Sequence, residues 1–113
     1  MNITFRDKQF EKLVNDDKKL LNRLGMIRSK KITMRLTQLT FADTLEDTRN
    51  LPGNFHELTG NRKGQWACDL DQPYRLIFMP QENPIPVNKD GGYSWMEIKG
   101  VVIIEIANYH RRK

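Results

Sequence analysis

The sequence predicts an α+β domain in which two N-terminal helices pack on a small, mainly antiparallel β-sheet. Apolar residues recur at three- and four-residue steps in the first half of the chain and alternate in the second half, and a Pro-Gly break separates the halves. The chain has 113 residues, of which 38% are hydrophobic and 29% are charged. This is enough for one globular domain with its own core, so we treat residues 1–113 as a single domain.

The first helix is predicted to begin after Asp7, which is suited to the N-cap, and to stop at Gly25. A looser joint between two helical pieces at residues 15–17 stays open as an alternative. The apolar residues that define this helix are Phe10, Leu13, Val14, Leu20, Leu21 and Leu24. Their spacing favours an amphipathic helix with one face toward the core.

A second helix is predicted from about Ser29 to just before Asp43. Its core-facing residues are Ile32, Leu36 and Leu39, and Lys31 and Arg35 are expected to face elsewhere. A further helical turn is predicted over residues 43–49, where Thr44 and Asp47 have capping-box spacing. The segment Leu51-Pro52-Gly53-Asn54 then breaks the chain.

Four strand-like segments follow, at residues 65–70, 74–79, 93–98 and 101–107. The first two should pair as an antiparallel hairpin across the turn Asp71-Gln72-Pro73. Residues 81–92, rich in proline and glycine, indicate a long loop, and Gly100 indicates a bulge or bend. In the first strand Cys68 alternates with Trp66 and Leu70 and is therefore expected to be a small core residue.

The last strand constrains which terminal side chains can act together. If it runs straight, one face carries Val102, Ile104, Ile106, Asn108 and His110. Tyr109 then points to the opposite face. Tyr109 and His110 can line one site only if the strand bends near Asn108.

Positive charge is concentrated in one segment. The chain has a net charge of +5, and residues 18–42 hold seven cations and no acid. The cations are Lys18, Lys19, Arg23, Arg28, Lys30, Lys31 and Arg35. Such a segment attracts a polyanion or an acidic partner, although a solvated helix face explains the same charges.

Several function classes are excluded by what the sequence lacks. It has no apolar run long enough to span a membrane and no apolar segment typical of a secretory signal, so we expect a cytoplasmic protein. One cysteine and two histidines without metal-ligand spacing predict neither a metal site nor a bound cofactor. The glycines lack the Walker spacing, and no serine lies in a nucleophile-elbow motif.

The two histidines are the candidates for proton transfer at neutral pH, because their ordinary pKa lies closest to it. His110 lies in a terminal cluster with Tyr109 and three cations, which suits a phosphate site or forms a solvated tail. The other residue is His56. The candidate phosphate-contacting residues are Arg62, Lys63, Arg75, Arg111 and Arg112; for Arg75 a structural ion pair is the alternative.

Four aromatic side chains are candidates for stacking on nucleic-acid bases. Trp66, Trp95, Tyr74 and Tyr93 can stack on bases, but packing in the core is the more frequent role of such residues.

Motifs in the second half resemble the HigB branch of the RelE-like toxins of bacterial type II toxin-antitoxin systems. They are Leu51-Pro52-Gly53-Asn54, His56-Glu57-Leu58-Thr59-Gly60, Asn61-Arg62-Lys63-Gly64-Gln65-Trp66, Tyr74-Arg75-Leu76-Ile77-Phe78 and Tyr109-His110. The resemblance implies a compact fold of two N-terminal helices on an antiparallel sheet. It also implies an endoribonuclease that cuts mRNA in the ribosomal A site. A helix-turn-helix antitoxin of the HigA kind would silence it, and operator DNA would be bound only through the toxin-antitoxin complex.

The resemblance carries residue roles with it. His56, Tyr109 and His110 occupy the family's catalytic positions, and we expect His110 to be one proton carrier and His56 or Tyr109 the other. A base takes the proton of an RNA 2′-hydroxyl, the oxygen attacks the adjacent phosphate, and an acid protonates the departing 5′-oxygen. This chemistry needs no metal, and Arg62, Lys63 and Arg75 would stabilise the charge that builds on the phosphate.

Two positions depart from the family pattern. Asn108 stands where the family commonly has aspartate, and the segment 80–95 is longer than the usual tight hairpin. The second departure is explained by a simple bridge between strands or by a contact with the ribosome or antitoxin. The first motivates an alternative function on the same scaffold: a non-enzymatic binding module, such as a gyrase-poisoning relative of ParE or an antitoxin-bound transcriptional co-regulator.

Overall fold

A computed structural model of the chain describes residues 1–108 and confirms the α+β class. Its regular elements are β1 (Asn2–Phe5), α1 (Lys8–Val14), α2 (Asp17–Phe41), β2 (His56–Glu57), β3 (Trp66–Asp69), β4 (Tyr74–Pro80) and β5 (Gly100–Asn108). Short 3-10 helices lie at Leu45–Asn50, Gly60–Arg62 and Trp95–Glu97. The helices pack on one face of the sheet, where they enclose the main hydrophobic core. Within residues 1–108, none of the helices combines the length and apolar character that a membrane span requires.

The sheet has five strands in the order β1-β5-β4-β3-β2. Strand β1 runs parallel to β5, and the other three pairings are antiparallel, as in the predicted hairpin of β3 and β4. Strand β1 has no recognisable signal in the sequence. Its four residues are too few for a period to stand out, and its partner is about a hundred residues away in the chain.

The N-terminal helices divide at residues 15–17 and at Gly25, in agreement with the sequence. Asp7 caps α1 as expected, because its carboxylate accepts a hydrogen bond from the backbone N–H of Gln9. The looser joint at residues 15–17 is present: α1 ends at Val14, and Asp16 caps α2 by accepting from the backbone N–H of Lys19. Gly25 ends the first helical part of α2, because its φ of +84° is non-helical. Helical turns resume directly after Gly25, so the second helical part begins before Ser29.

The predicted strand at residues 93–98 is wrong. Trp95–Glu97 form a 3-10 helix, and the segment contributes only an isolated bridge between Tyr93 and Val87. Trp95 and Ile98 are both buried in the main core. A 3-10 turn places residues i and i+3 on the same side, so it buries both side chains where a strand would separate them. The helical turn predicted at 43–49 is present as the 3-10 helix Leu45–Asn50.

The last strand is not straight, so the shared face expected of a straight strand does not form. Ile77 pairs with Glu105 but Phe78 pairs with Ile103, so β5 carries a bulge with Ile104 as the extra residue. Ile103 and Ile106 therefore face the main core, while Ile104 belongs to a second apolar cluster on the other face of the sheet.

Arg35 is buried, against the expectation that it faces away from the core. Arg35 is only 5% exposed, and its Nε donates to the backbone carbonyl of Asp69 at 2.7 Å. Its Nη1 donates to the side-chain oxygen of Gln38 at 3.1 Å. These bonds offset the cost of burying a cation and join α2 to the end of β3.

The chain can pass this guanidinium closely only at a glycine. Gly53 has a φ of +120°, and a Cβ atom there would lie 2.7 Å from Nε of Arg35. The carbonyl of Gly53 also accepts the backbone N–H of Asp69 at 2.7 Å. The break predicted at residues 51–54 is therefore a close-packed crossing between α2 and β3.

An ion pair joins α2 to the β3–β4 turn. Arg28 donates from Nε and Nη2 to the two carboxylate oxygens of Asp71, at 2.9 and 3.1 Å, and its guanidinium lies 3.6 Å from the centre of the Tyr74 ring. The hydrogen bond from Arg28 lowers the pKa of Asp71 below its usual range. Cys68 is fully buried, as predicted, and burial raises the pKa of its thiol.

Replacing Gly53 by alanine tests the crossing at Arg35. Gly91 is the matched control, because it also has a positive φ of +91° but a Cβ atom there would meet nothing within 4 Å. We expect Gly53→Ala to lower the free energy of unfolding by about 1–3 kcal/mol more than Gly91→Ala does, because only Gly53→Ala forces a buried side chain to move. Urea denaturation followed by circular dichroism measures both. Equal losses would show that the contact with Arg35 does not constrain this turn.

The Asp71 ion pair predicts a pH dependence of stability. A carboxyl group whose pKa is lowered in the folded state stabilises the fold above its unfolded-state pKa of about 3.9, and that contribution is lost as the pH falls through the folded-state pKa. Asp71→Asn should therefore be less stable than wild type near pH 7, and the difference should shrink as the pH falls below the unfolded-state pKa and through the lowered folded-state pKa. Urea titrations from pH 7 to 2.5 measure it, with the exposed Asp43→Asn as control. A difference that stays constant with pH would contradict this explanation.

Candidate nucleic-acid groove

A second apolar cluster lies on the face of the sheet opposite the helices. Its buried members are Ala67, Ile77 and Ile104, and the partly buried Leu58, Met79 and Ala107 pack against them. Ala67 lies between Trp66 and Cys68, which both face the main core, so its side chain points to the other face. Three members of this cluster, Leu58, Ile77 and Ala107, form the floor of a surface groove.

The groove has a volume of about 500 Å³. Its lining residues are Leu58, Thr59, Gly60, Asn61, Arg62, Arg75, Ile77, Ala107 and Asn108. The turn at Gly60–Arg62 forms one wall. It begins two residues after β2, at Gly60, which adopts a φ of +66°. Strands β4 and β5 form the other wall. The groove thus combines an apolar floor with two arginines at its sides, which suits a ligand that has both anionic and flat apolar parts.

His56 and Arg75, two of the predicted site residues, meet at this face. Nδ1 of His56 lies 2.7 Å from the carbonyl oxygen of Asn54, and Nε2 lies 3.1 Å from Nη1 of Arg75. A carbonyl only accepts and a guanidinium only donates, so in this arrangement Nδ1 carries the proton and Nε2 accepts. His56 therefore helps to fix the plane of the Arg75 guanidinium.

Asp69 holds the other side of Arg75. Its Oδ1 lies 3.7 Å from Nε of Arg75, and the two residues are opposite each other in the β3–β4 pairing. The backbone of Asp69 is itself fixed by Arg35 and Gly53. The predicted alternative of a structural ion pair at Arg75 is thus present, and it orients the guanidinium at the groove.

Arg62 is paired as well, but in a more exposed way. Its Nη2 donates to Oε2 of Glu105 at 2.6 Å, and its Nη1 donates to the side-chain oxygen of Gln65 at 2.8 Å. The side chains of Arg62 and Glu105 are 39% and 47% exposed. An ion pair this exposed is worth little energy, so a phosphate can replace Glu105 as the partner of Arg62. Lys63 is exposed directly after this turn and is not among the groove-lining residues.

Two of these groups were not singled out from the sequence. Asp69 could have been found, because the alternation puts it on the face away from Trp66 and the hairpin register sets it opposite Arg75. Glu105 gives no such signal, because the bulge that turns its side chain toward Arg62 is set by pairing with β4.

The predicted terminal residues Tyr109, His110, Arg111 and Arg112 lie outside the described residues. Strand β5 ends at Asn108, which pairs with Tyr74 and lines one end of the groove. The chain therefore leads toward the groove just before Tyr109.

The aromatic side chains pack within the protein, which confirms the core alternative for Trp66 and Trp95. The rings of these two residues are buried with their centres 5.7 Å apart, and Tyr93 packs on Trp66 at 5.5 Å. Tyr74 packs under the guanidinium of Arg28. Trp95 also donates from Nε1 to Glu57 at 2.7 Å, which ties the loop before β5 to β2.

The described part of the chain has no cluster of side chains suited to binding a metal ion. Among residues 1–108, no group of three or more histidine, cysteine, aspartate or glutamate side chains is arranged to hold a metal ion.

The fold is that of the RelE-like toxins. The solved YoeB-YefM complex from Staphylococcus aureus contains a similar chain, with a TM-score of 0.56 and 20% sequence identity over 97% of both chains. Residues 3–89 match the family described as the RelE-like toxin of the type II toxin-antitoxin system HigB. This protein therefore belongs to the HigB-like toxin family. No curated protein sequence matches the chain.

The hydrogen bonds of His56 can be measured directly. We expect the neutral ring to carry its proton on Nδ1, because Asn54 accepts there and Arg75 donates to Nε2. Long-range proton-nitrogen correlation spectra report the tautomer, and Arg75→Met should shift the ring toward protonation at Nε2, whereas Arg49→Met, a change outside the groove, should not. A wild-type ring protonated at Nε2 would contradict the assigned arrangement.

Proposed function

We propose that this HigB-like toxin is a ribosome-dependent mRNA endoribonuclease that cleaves by metal-independent acid-base chemistry. The observation that carries the proposal is the groove, in which Arg75 is held between Asp69 and His56 while Arg62 lies on the opposite wall. Two cations flanking an apolar floor suit an RNA backbone with a base resting between its phosphates. Lys63, Arg111 and Arg112 would extend these phosphate contacts.

Arg75 is the proposed electrostatic catalyst. Its guanidinium is oriented before substrate arrives, so little reorganisation is needed when negative charge develops on the phosphate during attack. Arg62 would exchange Glu105 for a phosphate oxygen and so contribute binding energy. Neither role needs a metal ion.

The proposed proton carriers are His110 and either His56 or Tyr109. In the described arrangement the Nε2 lone pair of His56 accepts from Arg75. If His56 is the base, a bound phosphate must draw Nη1 of Arg75 away, which leaves Nε2 to accept the 2′-hydroxyl proton. This ties activation of the base to correct placement of the phosphate. If Tyr109 takes that role, His56 acts only through Arg75.

The proposed partners follow from the family and the substrate. The S. aureus relative of similar fold was solved as a toxin-antitoxin complex. We propose that a helix-turn-helix antitoxin of the HigA kind binds this toxin, that operator DNA is bound only through their complex, and that the free toxin acts on mRNA in the ribosomal A site, in the cytoplasm.

A second function is favoured by one residue. Asn108 stands at the end of the groove where the family commonly has aspartate, so a carboxylate that could orient a histidine is missing. A toxin that acts on gyrase, or only as an antitoxin-bound co-regulator, has no nuclease activity and needs no carboxylate at this position.

Primer extension on an mRNA in a purified translation system tests the nuclease. We expect cleavage only when ribosomes are present and unchanged cleavage by toxin that was treated with a chelator and then dialysed. His110→Ala should lower the rate by at least about 100-fold, as loss of a general acid or base does. His56→Ala should also lower it, through the base or through Arg75.

Two arginines give a matched pair for the groove. Arg62 and Arg49 are each in one exposed ion pair, with Glu105 and Glu46, but only Arg62 lines the groove. Arg62→Gln should reduce cleavage about tenfold and Arg49→Gln less than twofold. Absence of cleavage by folded wild-type toxin would reject the nuclease, and gyrase inhibition would then be measured. Equal effects of the two variants would reject the groove as the RNA site.

A further inference from the structure

Helix α2 presents apolar side chains to solvent on the face directed away from the core. Ile27, Met34 and Phe41 are 66%, 48% and 82% exposed, whereas Ile32 and Leu39 of the same helix are fully buried. A helix that packs on a sheet ordinarily places polar residues on its outer face. We name the line formed by Ile27, Met34 and Phe41 the outer stripe.

The outer stripe has the spacing of a helix-packing seam. Its members are seven residues apart, which is about two helical turns, so they form a nearly straight line about 21 Å long. Lys30 and Thr37 lie between them at the i+3 positions. Apolar residues at one seam position and a lysine at the other suit the packing of a single helix alongside α2.

A separate groove lies at the bend of α2 near Gly25. It has a volume of about 460 Å³, and its lining residues are Asp17, Leu20, Leu21, Met26, Ser29, Lys30 and Thr33. Leu21 and Met26 are 45% and 64% exposed. Helix α2 therefore exposes apolar side chains on both sides of the bend.

Helix α2 carries exposed cations that no acid of the same helix after Asp17 balances. Two of the cations counted in this segment act inside the molecule, Arg28 with Asp71 and Arg35 in the core. Lys18, Lys19, Arg23 and Lys30 are exposed, and α2 contains no acid after Asp17. An apolar line beside unbalanced cations is complementary to an apolar line beside acids.

We propose that the outer stripe binds an acidic amphipathic helix of the antitoxin. The inference rests on the proposed antitoxin partner and adds the surface and the chemistry of its binding segment. Apolar residues of that helix cover Ile27, Met34 and Phe41, and its flanking glutamates or aspartates face the lysines and Arg23. A nucleic acid would satisfy the cations but would leave the outer stripe in water.

The outer stripe can be altered without touching the nuclease groove, because α2 packs on the opposite face of the sheet. Met34→Glu places a carboxylate in the outer stripe, where it repels the acidic residues proposed for the antitoxin helix. Met96→Glu is the matched control, since Met96 is also an exposed methionine, at 68%, but lies in the 3-10 helix before β5. Met34→Leu keeps the seam apolar.

The experiment uses the protein encoded beside the toxin gene as the probe. The toxin is recovered from the co-expressed complex by denaturation, refolded and checked by circular dichroism, and its affinity for the immobilised probe is measured by biolayer interferometry. We expect Met34→Glu to weaken binding at least tenfold, and Met96→Glu and Met34→Leu to change it less than twofold. Raising the salt concentration from 0.05 to 0.5 M should slow association of wild type at least fivefold.

The other outcomes identify other occupants. Unchanged binding by Met34→Glu, or no binding of the probe at all, would overturn the proposal. Two further outcomes would overturn it, each with probe binding unchanged in Met34→Glu. In one, Met34→Glu abolishes a concentration-dependent dimer of the toxin alone. In the other, it abolishes attachment of the toxin to phosphatidylglycerol vesicles. The mRNA cleavage assay of free Met34→Glu toxin is run in parallel without the probe, so failure of the nuclease proposal and failure of this one give different results.

Discussion

The buried guanidinium of Arg35 is the interaction on which the arrangement of the groove depends. It donates to the backbone carbonyl of Asp69 and packs against Gly53, where a Cβ atom would collide with it. These contacts hold α2, residues 51–54 and the end of β3 together. Asp69 in turn orients Arg75 across the hairpin. A residue in the helical layer thereby sets the geometry of an arginine on the far face of the sheet. Burial of a cation is costly, and the cost is offset here because the Nε and Nη1 donors have fixed acceptors.

The basic residues of this chain divide into distinct physical roles. Arg28 and Arg35 join elements within the fold. Arg28 pairs with Asp71, and Arg35 donates to a backbone carbonyl and a side-chain amide oxygen. Arg75 is oriented at the groove by neighbours on two sides, whereas Arg62 has an exposed partner that an anion can replace. The lysines of α2 stay in solvent beside an apolar line. A net charge of +5 by itself describes none of these differences, because it counts paired, buried and exposed cations alike.

The sheet separates two surfaces with different chemistry. One face is covered by helices, whose outer side carries the outer stripe and its cations. The other face carries the groove, with an apolar floor and arginines at its sides. The bulge in β5 shapes the second face, since it turns Ile104 to the second apolar cluster and Glu105 toward Arg62, while Ile103 and Ile106 stay in the main core. Two separate surfaces allow the proposed antitoxin contact and the proposed RNA contact to be changed independently.

The sequence by itself determined the α+β class, the β3–β4 hairpin, the caps at Asp7 and the 3-10 turn near Thr44, and the choice of His56, Arg62 and Arg75 as site candidates. These depend on local periods, turn residues and motif resemblance, which are legible within a few neighbouring residues. Only the tertiary structure decided that β1 pairs with β5, that Arg35 is buried, that Trp95 lies in a 3-10 turn, and that Asp69 and Glu105 hold the two groove arginines. Each of those depends on a partner distant in the chain, and one sequence gives no measure of such pairings.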